Sequence, residues 1–291
     1  SSVSLTTDIN EPSGIIWHEG RQKFYLADDG GFVWSMNKDG SDPVSNYITP
    51  WQDLEAVTIV DFNPDFIYLV RERTTRSILE YDLDTNSVIR FFDLNNAGMA
   101  GTDNLGAEGL AFVPIADDPE GGLFYVGKEG DSKIYIYRLS IKSSVTDTNV
   151  NFLGTLGPWS GTGAFKDLFY DSDNEVLYAY FDTGGLIAMT RSGKELARWA
   201  DFGLACGGNE EGIALLDGNM YVAIDPNSGG CVDRVPFAGI NKPQNGNVIF
   251  SDVNLSTQFC TLNSPASYSC NLDWNLLNVV DNNYIIALTV Y

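Results

Sequence analysis

Residues 106–141 read GAEGLAFVPIADDPEGGLFYVGKEGDSKIYIYRLSI. Three strand signals lie in this stretch. Glu108 leads into the apolar run GLAF, then come GLFYVGKEGD (122–131) and KIYIYRLSI (133–141). Each is rich in β-branched and aromatic residues, and clusters of Asp, Pro and Gly separate the first two. No helical periodicity of useful length competes with them.

The same phrase recurs along the chain. Ser13-GIIW, Glu55-AVTI, Lys166-DLFY and Glu211-GIAL repeat the first strand, at spacings of 42 to 58 residues. KFYLADDGG (23–31), FIYLVRERT (66–74), VLYAYFDTGG (176–185) and NMYVAIDPN (219–227) repeat the second. FVWSMNKDG (32–40), SILEYDLDT (77–85), LIAMTRSGK (186–194) and CVDRVPFAG (231–239) repeat the third. A fourth strand is expected at 44–48, 87–94, 150–156 and 195–201, after turns such as NKDG and RSGK. Four-strand units of this period predict the blades of an all-β propeller, because one such sheet cannot bury both of its faces alone.

The end of the chain decides the blade count. LLNVVDNNYIIALTVY (276–291) aligns with IALLDGNMYVAI (213–224) as strand, turn, strand. This predicts a six-bladed β-propeller spanning residues 1–291 as one domain, with GNVIFSDV (246–253) closing the fifth blade and SVSLTTD (2–8) completing the ring by pairing into the last one. The alternative is a five-bladed propeller in which residues 2–8 close the fifth blade and 242–291 form a disulfide-tied β extension. An open edge at 2–8 or 284–291 would allow self-association by strand addition.

Thirty-nine acidic residues face 17 basic ones, a formal charge of −22. A field of that sign repels nucleic acid and anionic membrane and attracts cations. No apolar run reaches the roughly 18–20 residues that span a bilayer, so no membrane insertion is expected. The sequence starts at Ser1 and carries no leader, which reads as a mature product that is secreted, extracellular or periplasmic. Cys206, Cys231, Cys260 and Cys270 form no zinc-like cluster. They read as two disulfides, Cys206–Cys231 and Cys260–Cys270. Asn254-Leu-Ser256 is a glycosylation sequon.

Propeller geometry places the start of each innermost strand and the end of each second strand at one mouth of the channel. That gathers Ser13, Glu55, Glu108, Lys166 and Glu211 with Asp28, Asp29, Glu72, Glu129, Asp182 and Asp225. Crowded carboxylates bind a cation, take up protons, or pair with bases such as Lys166, Arg71, Arg73 and Lys128. Calcium suits an oxygen-only set, and no EF-hand loop is present. The candidate ligands are Glu55, Glu108, Glu211, Glu72 and Glu129. The alternative is a salt-bridged ring, neutralised by Lys166, that fixes blade spacing. His18 is the only histidine and falls at the opposite face, which removes the base that a Ser–His or Cys–His hydrolase requires. Trp17, Trp34, Trp51, Trp159 and Trp199 lie in or beside strands and read as blade packing rather than sugar platforms.

DLEAVT (53–58), GAEGLAF (106–112), YVGKE (125–129) and EEGIALLDGNMYVAIDPN (210–227) resemble the SdiA-regulated family of periplasmic or secreted propellers. The resemblance covers about residues 10–240, and a weaker one exists to the esterase-like phytase propellers. It implies a calcium-associated propeller whose activity is largely unassigned. Lys166 departs from the small polar residue usual in the family, and the stretch beyond 240 has no counterpart. The leading function is a calcium-associated module that binds a small ligand or a protein and is not an enzyme. A metal-dependent phosphoester or ester hydrolase without a catalytic histidine is the alternative. A self-assembling extracellular subunit joined by edge strands is the third reading.

Overall fold

The computed structural model describes residues 3–73, 75–101, 104–182, 185–200, 202–225, 229–240, 260–264 and 267–270. Residues Ser1–Asn241 form one compact unit and Lys242–Tyr291 a second.

The first unit holds five four-stranded antiparallel sheets. Blade I is β2 (Pro12–His18), β3 (Lys23–Asp28), β4 (Phe32–Met36) and β5 (Val44–Tyr47). Blade II is β6 (Leu54–Ile59), β7 (Phe66–Arg71), β8 (Ser77–Asp82) and β9 (Ser87–Asp93). Blade III is β10 (Ala107–Pro114), β11 (Gly122–Lys128), β12 (Lys133–Leu139) and β13 (Val150–Leu156). Blade IV is β14 (Phe165–Asp171), β15 (Val176–Phe181), β16 (Gly185–Met189) and β17 (Glu195–Trp199). Blade V takes β18 (Asn209–Leu216), β19 (Asn219–Asp225) and β20 (Gly230–Pro236) from late in the chain. Its outermost strand is β1 (Val3–Ile9), which pairs antiparallel with β20.

The inner strands touch in the cyclic order β2, β6, β10, β14, β18 and back to β2, so five blades close the ring. This corrects the six-bladed expectation and matches its five-bladed alternative. The ring is complete once β1 supplies the last strand of blade V, so no sixth blade is needed to bury a face. The proposed sixth-blade strands at 276–291, and the closing strand at 246–253, lie outside the described residues. In the second unit β21 (Cys260–Ser264) and β22 (Ser267–Cys270) form a hairpin with Cys260 opposite Cys270 in register.

The outermost strands are the least buried, and residue choice follows burial. β2, β10, β11, β15 and β16 are almost continuously buried, since blades cover both of their faces. The outermost β9 and β13 alternate or are mostly exposed. Five apolar layers fill the spaces between successive blades, one per gap around the ring. Burial of this kind stabilises by about 25 cal/mol per Å² of apolar surface. Polar stitches cross the gaps as well. Phe112 N–H donates to Thr58 Oγ1 at 3.2 Å. Arg90, buried against Glu80 in blade II, donates to the carbonyls of Ser140, Ser144 and Asp147 in the loop of blade III. The Cys206–Cys231 disulfide ties the approach to β18 onto β20, as the spacing predicted.

Ring closure depends on small residues at one repeated position. A methyl group on Gly14 would stand 2.6 Å from Ala56 Cα, and one on Gly212 would stand 2.7 Å from Gly14 Cα. Backbones that approach this closely leave no room for a side chain. The equivalent residue in blade IV is Asp167, and there the carboxylate becomes a stitch. It accepts from Leu168 N–H at 2.7 Å and from Ile213 N–H of blade V at 2.8 Å.

Gly14→Ala is expected to lower stability by about 1–3 kcal/mol through overpacking at the axis. Urea unfolding followed by tryptophan fluorescence checks this, and an unchanged midpoint would remove the close-contact account of the ring.

Candidate metal centre

Every inner strand carries one β-bulge, and it falls at the same place in each blade. Partnering in the ladder skips Ser13, Glu55, Glu108, Lys166 and Glu211. A bulge leaves one residue without a ladder partner and re-aims its side chain. Beside each bulge stands the acid that closes the second strand. Asp29 N–H donates to Glu11 O, Glu72 N–H to Asp53 O, Glu129 N–H to Gly106 O and Asp182 N–H to Ala164 O, at 2.9–3.3 Å. In blade V, Asp225 pairs with Asn209, two residues before Glu211. The five bulged residues and the five acids therefore share one end of the ring.

The side chains sort into three groups. Asp29, Asp53 and Glu55 offer oxygens within 4.8 Å of one another, and so do Glu72, Glu108 and Glu129. Glu211 joins neither group, because Lys166 Nζ binds it at 2.9 and 3.2 Å. Lys166 is thus spent on one acid and leaves the two triads without its charge in contact. Arg73 lies between the triads. It donates to Asp53 Oδ1 from Nε at 2.6 Å and stands 3.7 Å from Asp29 and 3.6 Å from Glu72. The other two cations considered go elsewhere. Arg71 lies over the Trp51 ring and donates to Gln52 O, and Lys128 lies over Tyr135.

Burial makes this arrangement costly for bare carboxylates. Glu55 is partly exposed at its surface but has protein around most of its carboxyl. Its proton affinity rises well above the usual range through burial, then through Asp29, Glu72 and Asp53. Glu108, nine-tenths buried, rises well above it through burial and then through Glu55, Glu72 and Glu129. Glu72 is pushed up by burial, against a hydrogen bond from Gly106 N–H at 2.7 Å and one from the Glu108 carboxyl. Asp29 is raised to about 6, by burial and then by Asp53. Its side chain is 41% exposed, so water softens that effect. Burial would lower the Lys166 ammonium, but Glu211, Glu108 and Glu129 outweigh it and raise it.

Several predicted residues sit apart from the triads. Asp28 is fully buried at the end of β3, where it accepts from Trp34 Nε1 and Gly30 N–H, both at 2.7 Å. Asp29, not Asp28, occupies the repeated position. Asp182 is exposed, and Asp225 is within electrostatic reach of Glu211 and Lys166. Ser13 donates to Glu11 O at 3.3 Å. His18 is buried in blade I, with Nε2 2.7 Å from Pro64 O and Nδ1 accepting from Arg21 N–H at 3.2 Å. Asn254 lies outside the described residues. Asp53 was missed because it precedes its strand. Its position two residues before the bulged Glu55 in DLEAVT was the available signal.

No family model matches the chain, and no curated protein matches it. Among solved structures, a chain of a nidogen/laminin complex is similar at 13% identity, over 73% of this chain and 72% of that one, with a TM-score of 0.47. A gluconolactonase-like protein is similar at 14% identity, over 83% of this chain and 94% of its own, with a TM-score of 0.46. Similarity at this level transfers neither ligand nor activity.

Raised carboxyls fix the sign of the pH dependence. In the unfolded chain Asp and Glu ionise near pH 4. In the fold Asp28 ionises at about 6, chiefly through burial, and Glu55 and Glu108 are also raised. The folded protein then binds more protons than the unfolded chain, so stability falls as pH rises through this window. Asp28 alone accounts for at most about 3 kcal/mol. Chelator-treated protein is expected to unfold at lower urea at pH 7.5 than at pH 5. A midpoint that rises with pH would contradict the crowding account.

Proposed function

We propose that the mouth of the propeller holds calcium, and that the protein is a secreted module which binds its ligand or partner through that cation. The observation that carries this reading is the convergence of two buried or partly buried carboxylate triads on one end of the ring, with Lys166 already committed to Glu211. A divalent cation replaces the protons that the triads would otherwise have to hold, and its charge offsets the carboxylates that burial and crowding disfavour. Calcium is favoured over magnesium because the donors are carboxylates from separate strands and loops. Calcium accepts six to eight oxygens in loose geometry, whereas magnesium demands a near-ideal octahedron. Once bound, the ion gives an acidic mouth one positive focus, to which hydroxyl or carboxylate oxygens of a ligand can add.

The Cys206–Cys231 disulfide supports a location outside the reducing cytosol. Among the described residues no helix is long and apolar enough to cross a membrane.

Calorimetric titration of calcium into chelator-treated protein should show saturable binding. At 100 times Kd, calcium should stabilise the fold by about 2.7 kcal/mol. In Glu108→Gln the affinity should fall at least about tenfold as one charged ligand is lost. The same change should raise the melting temperature of the metal-free protein, because it relieves the crowding. A protein without calcium heat, or a Glu108→Gln variant that binds as the parent does, would end the metal reading.

A further inference from the structure

The ring has five outer edges, and four of their strands contain a charged residue or are short. β9 ends on Asp93, its Arg90 being buried against Glu80; β17 carries Glu195 and Arg198, the sequence of β1 contains Asp8, and β5 is only four residues long. Charge and shortness are the ordinary means by which sheet edges avoid adding strands. β13, Val150–Leu156, has neither. Its sequence VNFLGTL holds no charged residue and no proline over seven positions. Phe152 and Leu153 are 40% and 41% exposed, and Asn151 and Thr155 are exposed as well. It shares with β9 and β17 a bulge near its middle, at Leu153, but not their charges. β9 also exposes apolar side chains, Ile89 and Phe91, but of the outer strands of blades II to IV β13 alone has no charged residue in its sequence.

The chain also supplies a segment of matching character. YIIALTVY (284–291) lies outside the described residues and contains no charge, proline or glycine. Segments with this composition form strands when an edge is offered to them. Tyr284 stands 14 positions beyond Cys270, a connection that spans up to about 45 Å when extended.

We propose that β13 is a docking edge for residues 284–291 of a second copy of this chain, which add to blade III as a fifth strand. Each copy then offers one edge and one strand. The contact propagates from copy to copy unless two copies exchange their strands reciprocally, which closes a dimer. This inference is independent of the cation at the mouth.

The test uses two variants of the full protein. Leu153→Lys with Thr155→Lys charges the edge at two exposed positions. A second variant lacks 284–291. Light scattering after size exclusion, with circular dichroism to confirm folding, reads the molar mass. The parent is expected to form concentration-dependent oligomers and each variant alone a monomer. An equimolar mixture of the two should stop at twice the monomer mass, because one copy keeps only the strand and the other only the edge. A monomeric parent at high concentration, oligomers of the chain lacking 284–291, or a mixture that stays monomeric would overturn the proposal. The last outcome is the one expected if the segment folds back onto its own copy.

Discussion

Five backbones meeting side by side at the axis set everything else in this molecule. Gly14 lies against Ala56, and Gly212 lies against Gly14, at distances that exclude a Cβ. Immediately before each of these close-packed positions comes a bulge, and the bulged residues are Ser13, Glu55, Glu108, Lys166 and Glu211. The two features work as one device. The small residue lets the strands crowd together, and the bulge turns the preceding side chain to the end of the ring. Crowded strands therefore mean crowded carboxyls, and the electrostatics of the mouth follow from the packing of the core.

Asymmetry within the ring gives the mouth its chemistry. Five identical acids would repel equally all round. Lys166 breaks the pattern by pairing with Glu211, and Ser13 is neutral. Charge is left on the side of blades I to III, where Asp29, Asp53 and Glu55 meet and where Glu72, Glu108 and Glu129 meet. Arg73 touches both groups from a partly exposed position and offsets only part of that charge. Asp167 shows how differently a carboxyl is treated one residue away. It is fully buried and bonded to amides of two strands, so it acts as a stitch between blades.

Much of this was legible in the residues. The phrase beginning Glu108-Gly-Leu-Ala-Phe recurs because every inner strand meets the same two demands, and period-two alternation marks the strands wherever one face is drier than the other. The acid after the second strand recurs for the same reason. Blade number was not legible, because strand-turn-strand text at 276–291 resembles blade text whether or not it enters the ring. Ring closure by β1 depends on contacts between the two ends of a 241-residue unit, and no local pattern records them. Asp28 and Asp29 are adjacent in sequence and chemically equal. Only the register separates the one that binds Trp34 from the one that faces the mouth. The partition of Glu211 to Lys166 likewise needs a distance, not a spacing.

A crystal structure grown with calcium near neutral pH tests the central claim most directly. The account predicts an ion enclosed by carboxylates of Asp29, Asp53 and Glu55 or of Glu72, Glu108 and Glu129, at about 2.3–2.6 Å from its oxygens, with Glu211 still on Lys166. Carboxyls that remain hydrogen-bonded to one another in saturating calcium, with no ion among them, would contradict it.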